Sequence, residues 1–295
     1  MNLSCIHTHT NFCDGSDDVE TCCLTAYSKG LVSLGFSAHA PVTKKTGMKT
    51  NWHLPDEKFY EYIDSIRAAQ KRWQGKLPVY LGLEVDYISG VMGPADRDYR
   101  EMDLDFIIGS VHYVLPPRGK PFTVDDSGEN VDKGIKDGYG GDPMGMVEAY
   151  WNAEEAMIRD GAFDVLGHPD VVKKNNTGPS SPGNRLFSED DGFYKTKTTS
   201  IAALMAAAGV PAEINTGGIN RGKIKDCYPS LCFLKLFRDN GVPMVINADA
   251  HSAKDLDGHY KDAVQSLLAA GYTETVLFEG RKNSLPVWKS VKLKL

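Results

Sequence analysis

Nowhere in these 295 residues does an apolar run approach the roughly 20 residues that a membrane-spanning helix requires. The opening MNLSCIHTHT lacks a basic stretch followed by an apolar one, so no secretory leader is expected there. Basic charge is not in excess: 33 Lys and Arg face 39 Asp and Glu, for a formal net charge of −6. A non-specific nucleic-acid binder is usually basic, so neither a nucleic-acid nor a membrane partner is expected. A local basic pocket for a small anion is still compatible with that charge. The six cysteines, Cys5, Cys13, Cys22, Cys23, Cys227 and Cys232, form no C-x-x-C pair. A chain this long needs no disulfide staples, so reduced thiols in a cytoplasmic protein are expected. Oligomeric state leaves no mark. Hydrophobic residues make up 41% and charged residues 24%, which excludes an extended disordered chain.

What is present is an alternation of short apolar strands with helical stretches. Seven strands are expected at about Leu3–His9, Val32–Ser37, Val79–Val85, Phe106–Val111, Phe163–Gly167, Ala212–Asn215 and Pro243–Asn247. The first helix is expected to be capped by Asp17, with Glu20 as capping-box partner, and to stop at Gly30. A second starts near Pro55 and carries Phe59, Tyr62, Ile63 and Ile66 on one stripe. Further helices are expected at Met146–Arg159, Ile201–Ala208, Leu231–Arg238 and Ala263–Ala270, with a last short strand at Thr275–Glu279. Leu115–Gly145 and Lys173–Asp191 are polar, without clear period, and read as long loops. Repeated strand–helix units argue for parallel strands with helical crossovers, closed into a barrel. No linker or composition shift divides the chain, so one α/β domain over residues 1–295 is expected.

Metal-capable side chains fall at the ends of these strands. They are His7 and His9 on the first, His39 after the second, Glu84 on the third, His112 on the fourth, His168 on the fifth, and Asp249 with His251 after the seventh. Residues two apart on a strand point the same way, so His7 and His9 can converge on one ion. In a parallel barrel all C-terminal strand ends open on one rim. Six of the eight histidines at such positions argue for a metal site, and imidazole with carboxylate suits Zn, Fe or Mn. His53 and His259 lie in loop surroundings and are expected at the surface, with a pocket-lining role left open for His53.

The runs HTHTNFCDG, FSAHAP, GLEVD, DFIIGSVHY, FDVLGHPDVV, AEINTGG and NADAHS span residues 5–252 in one order. As a set they resemble the PHP family, named for polymerase and histidinol phosphatase, and within it the monofunctional histidinol-phosphatase branch. The resemblance implies a distorted TIM-like (βα)7 barrel, three divalent metal ions, and hydrolysis of L-histidinol phosphate in histidine biosynthesis. It implies a first metal held by His7, His9, Glu84 and Asp249. Glu84 would bridge to a second, completed by His112 and His168. A third would sit on His39 and His251 with one ligand from the loop after His9. Many family members have a histidine in that loop; here Asp14 stands nearest, with Asp17 as the alternative.

The expected partner is a small phosphate ester bound across the cations. Asp249 or His251 is expected to pass a proton to the leaving oxygen. Arg221, following NTGGIN, and Arg185, in the second polar stretch, are candidate phosphate contacts; Asn215 is a neutral pocket candidate. Asp170 and Asp86 could meet an amine on the substrate or serve behind the ligands. The competing readings are a PHP-type phosphoesterase for nucleotides or sugar phosphates, a metal-dependent amidohydrolase, and a metal-binding module without catalysis.

Overall fold

In the computed structural model, residues 3–43, 48, 50–96, 99, 101–176 and 185–294 are described. Six parallel strands form one curled sheet in the order β1-β2-β3-β6-β7-β8. They are β1 Leu34–His39, β2 Val79–Asp86, β3 Phe106–Ser110, β6 Val165–Leu166, β7 Ala212–Asn215 and β8 Met244–Asn247. Between β3 and β6 stands a small antiparallel hairpin of β4 Tyr113–Val114 and β5 Phe122–Thr123.

The expected first strand is present as an extended segment without a continuous ladder. Cys5 bridges Leu34 on one edge of the sheet and Thr8 bridges Ala250 beyond the other. Its ladder is broken because side chains take its donors: Ile6 N–H goes to Asn247 Oδ1 and Thr8 N–H to Ser37 Oγ. This segment supplies the seventh stave of the distorted barrel, and His9 N–H donates to Ala250 O at 2.8 Å.

The barrel interior is a small apolar cluster of Ile6, Phe106, Ile108, Val165, Val245 and Phe278. Two glycines make room for it. A Cβ on Gly82 would stand 2.4 Å from the Phe106 ring, and one on Gly35 2.9 Å from the Phe106 ring and from Ile6 Cβ. Phe278 comes from outside the sheet. The expected short strand at 275–279 lies in the first strand of a longer hairpin, β9 Glu274–Lys282 paired antiparallel with β10 Leu285–Lys292. The second strand of that hairpin, SLPVWKSVKLK, carries too little alternation to announce itself.

The helices cover the sheet as expected, with shifted bounds: α1 Val19–Ser28, α2 Phe59–Arg72, α3 Gly128–Tyr139, α4 Pro143–Asp160, α5 Gly192–Ala208, α6 Gly217–Asn220, α7 Leu231–Asp239 and α8 Tyr260–Ala270. Asp18, not Asp17, caps α1, accepting from Thr21 N–H. The expected loop at 115–145 contains the whole of α3. Its glycines hid it: Gly134 packs on the Phe122 ring and Gly138 on Pro116, where a Cβ would stand 2.6 and 2.5 Å away. The second polar stretch opens inside a 3-10 turn, Val171–Asn175, and α5 starts nine residues earlier than expected, on the Asp191 cap. Residues 177–184 of that stretch lie outside the described residues. No helix of the described residues is long and apolar enough to cross a membrane.

Candidate metal centre

The sheet positions its acidic centre by register. Glu84 sits directly beside His39 in the β1–β2 ladder and beside Ile108 in the β2–β3 ladder. It shares the face of Gly82, so its side chain rises from the barrel interior to the C-terminal rim. Five imidazoles surround it. Glu84 Oε2 is 3.2 Å from His7 Nε2, 3.5 Å from His9 Nε2 and 2.9 Å from His39 Nδ1. Oε1 is 2.9 Å from His168 Nε2 and 3.7 Å from His112 Nε2. The His7 and His9 ring centroids are 5.2 Å apart, as expected of residues two apart on an extended segment.

Asp249 approaches from beyond β8, with Oδ1 3.3 Å from His9 Nε2 and 3.7 Å from His7 Nε2. Its φ of 47° is left-handed, a conformation that costs a non-glycine residue about 1–2 kcal/mol and that Asp tolerates better than most. Such strain is typical of functional positions. Beside it, Asp14 Oδ2 is 3.0 Å from His251 Nε2, and Asp14 Oδ1 is 3.6 Å from His9 Nδ1 and 3.8 Å from His39 Nε2. Asp17 is elsewhere: its Oδ2 accepts from Ser252 Oγ and Ala253 N–H, which ties down the turn after His251.

Four groups bring ligand atoms within 4.8 Å of one another: His9/Asp14/His39/His251, His7/His9/Asp249, His7/Glu84/His168 and His39/Asp86/His112. The donor set fits divalent cations. His7 Nε2, His9 Nε2, His39 Nδ1 and Glu84 Oε2 are buried, crowd one another at 2.9–3.5 Å, and make no hydrogen bond outside the cluster. So many buried polar atoms in one place would be costly in a protein without ligands there. Their charges argue the same way. Burial works to raise the Glu84 carboxyl, but the His39, His7 and His112 imidazoles overcome it and hold it well below the usual range. Asp249 is held low against burial by Arg221 and His7. Burial works to lower His112, but Asp86 and Glu84 outweigh it and push His112 up to about 10. Burial and the neighbouring His251 and His39 drop His9 to about 3. A set of buried carboxylates held ionised in this way calls for positive charge beside it, and cation binding to such a set releases protons.

The backs of the ligands are held by a second layer. Glu213 accepts from His7 Nδ1 at 2.9 Å, from His168 N–H at 2.8 Å, from Asn215 Nδ2 at 2.7 Å and from Asn247 Nδ2 at 2.9 Å. Asp86 receives His112 Nδ1 at 2.7 Å and His53 Nε2 at 2.8 Å. These contacts fix which ring nitrogen faces the centre.

Not every expected residue reaches the site. Arg185 does not line the cavity: its Nε donates to Asn175 O and its Nη1 pairs with Asp132. Asn215 points at Glu213 and Gly217 N–H and does not line the cavity. His53, expected at the surface, is buried, with its ring 3.7 Å from that of Trp52 and its nitrogens bonded to Asp86 and Thr50. His259 is exposed as expected and pairs with Asp262. Asp170 is fully buried beneath Lys173 and Ser230 N–H, away from the centre. Arg221 does reach the site, donating to Asp249 O and Oδ2 and to His251 Nδ1.

A cavity of about 380 Å³ opens over the cluster. Its walls add residues that sequence reasoning missed: Trp52, Asp125, Lys174 and Tyr228. Glu213 was missed too, although an acidic residue inside the apolar strand AEIN is itself a signal.

The PHP domain is matched over residues 6–217. The chain is 29% identical over 279 residues to a protein of Deinococcus radiodurans named "Probable histidinol-phosphatase", covering 94% of this chain and 96% of that one. The HisK crystal structure from Listeria monocytogenes superposes with a TM-score of 0.77 at 23% identity, covering 88% of this chain and 98% of that one. HisK of Lactococcus lactis, a histidinol phosphate phosphatase complexed with Zn, L-histidinol and phosphate, superposes with a TM-score of 0.67 at 19% identity, covering 95% and 99%. These two likenesses show the fold.

Proposed function

Because this chain belongs to the PHP domain family, we propose that it is a metal-dependent phosphomonoesterase that hydrolyses L-histidinol phosphate to L-histidinol and phosphate. The observation that carries this reading is the five-imidazole shell around the Glu84 carboxylate, on the floor of a cavity of ligand size. Names of the relatives supply the substrate: the Deinococcus radiodurans and Lactococcus lactis proteins carry that activity in theirs.

The residues would hold three divalent cations of the Zn, Fe or Mn type. His7, His9, Glu84 and Asp249 would hold one, Glu84, His112 and His168 a second, and Asp14, His39 and His251 a third. When bound, such cations supply neutralisation of phosphoryl charge and a nucleophile at neutral pH. The chain does the rest. Arg221 lines the cavity and presents a cation to the phosphate, while its bonds to Asp249 keep its head in place. Asp249 and His251 lie 3.4 Å apart, Oδ1 to Nδ1, and both line the cavity. They are the pair that takes a proton from the attacking water and delivers it to the leaving alkoxide oxygen, so that water and ester become alcohol and phosphate. Residues 1–295 would act as one domain in a reducing, cytoplasmic setting, which suits the six unpaired cysteines.

The test is phosphate release by protein loaded with Mn, Zn or Fe, on L-histidinol phosphate beside a panel of nucleotides and sugar phosphates. Preferential turnover of L-histidinol phosphate, lost on chelation and restored by added metal, is expected. Preference for a nucleotide or sugar phosphate would replace the substrate. Absence of turnover on every ester by fully metallated protein would overturn the reading.

A further inference from the structure

A cavity that receives a phosphate dianion has little use for carboxylates on its wall, since like charge repels the ligand. This one nevertheless carries Asp125 and Asp126, on the turn after β5, in addition to the acidic groups of the cluster; the oxygens of Asp126 are taken by Ser127 N–H and Asn130 Nδ2. Asp125 Oδ2 is 3.1 Å from the Nζ of Lys174, which lies in the 3-10 turn after His168. Both side chains are partly open to the cavity, 24% and 18% exposed, and Asp125 Oδ1 has no hydrogen-bond partner among the described residues.

The pair is built in place. Val124 N–H donates to His112 O at 2.9 Å, which fixes the β5 arm above that imidazole. Asn175 Nδ2 donates to Val124 O and Asp126 O, stitching the Asp125 turn to the Lys174 turn. Among the described residues lining the cavity the lysine and arginine side chains are Lys174 and Arg221; Arg221 is anchored on Asp249 at the metal-ligand side, whereas Lys174 pairs with Asp125. A lysine and an aspartate held this way form a small zwitterion. Its complement is another zwitterion of similar span.

We propose that the Lys174–Asp125 pair is exchanged on binding for two intermolecular pairs. Lys174 meets the phosphate, and Asp125 meets an ammonium carried on the carbon next to the ester-bearing one. The site therefore selects 2-ammonioalkyl phosphates, in which one N–C–C–O–P chain joins the two charges, over phosphomonoesters without an amine. This rests on the phosphatase reading above and gives Asp125 a specificity role within it.

The experiment compares L-histidinol phosphate with 3-(imidazol-4-yl)propyl phosphate, which keeps the imidazole, the chain and the ester and lacks only the amine. Wild-type protein should prefer the amine-bearing ester by about tenfold or more in kcat/KM, the size of one charge-paired contact. Asp125→Asn should collapse that ratio, mainly through KM for the amine-bearing ester. Lys174→Met should lower kcat/KM for both esters and keep the ratio. A wild-type enzyme that turns over both esters without preference would overturn the proposal, and that measurement needs no variant. An unchanged ratio in Asp125→Asn would also overturn it, assigning Asp125 only to holding Lys174. Absence of phosphate release from either ester by wild-type protein would instead remove the phosphatase reading itself.

Discussion

Glu213 and His7 meet at 2.9 Å, on the side of the imidazole turned away from Glu84. Both are fully buried, and Glu213 does not line the cavity. Its four donors leave it no role except to aim other groups. Burial works to raise its carboxyl, and His7 overcomes this and holds it below the usual range. Glu213→Gln keeps the shape and removes the charge that makes His7 a better ligand. Metal affinity should fall about 10- to 100-fold, the usual loss behind a ligating histidine. Metal content after dialysis against a graded chelator series checks this, and unchanged retention would show that Glu213 serves folding alone.

Asp249 combines a left-handed backbone with contacts to two imidazoles and Arg221. Asparagine tolerates the same backbone conformation. Asp249→Asn should therefore melt close to the wild-type temperature while phosphate release drops by about two orders of magnitude or more. Wild-type rates in that variant would remove Asp249 from the chemistry.

Stability should depend on pH through Glu154, on α4, which is fully buried. One of its oxygens accepts from Tyr150 OH at 2.8 Å and the other has no partner. Burial raises its carboxyl well above the ordinary value, against a smaller opposing effect of the Tyr150 bond. The folded state therefore keeps a proton that the unfolded chain releases. Its contribution is fully present below the ordinary glutamate pKa of about 4.3 and is lost as pH rises through the folded value, by up to about 1.4 kcal/mol per pH unit. Glu154→Gln lacks this loss. Denaturant unfolding at pH 5 and pH 8 should show a smaller decline in the variant than in the wild type; equal declines would mean that Glu154 is ionised in the folded protein.

Much of this site could be read from residue types at strand ends. Parallel strands deliver their C-terminal residues to one rim, so His7, His9, His39, Glu84, His112, His168, Asp249 and His251 needed only correct strand positions to converge. Asp14 came from the family resemblance, as the side chain nearest the place of the missing loop histidine, with Asp17 as the alternative, and it lies 3.0 Å from His251. The parts that stayed hidden depend on packing across the chain. Gly134 and Gly138 lower helix propensity yet are required where α3 lies against Phe122 and Pro116, so local signals read a loop. Trp52, Asp125 and Lys174 sit on excursions whose direction no local pattern encodes. Arg185 looked suitable by charge alone, and Asp132 holds it elsewhere. The plug Phe278 belongs to a hairpin whose purpose appears only against the barrel interior it fills.

The most direct test is anomalous diffraction from crystals grown with manganese or zinc. The expected result is density within metal-ligand distance, roughly 2.0–2.3 Å, of the Glu84 carboxylate, with peaks shared by His7, His9 and Asp249 on one side and His112 and His168 on the other. Crystals holding either metal at millimolar concentration with no anomalous peak beside Glu84 would contradict it.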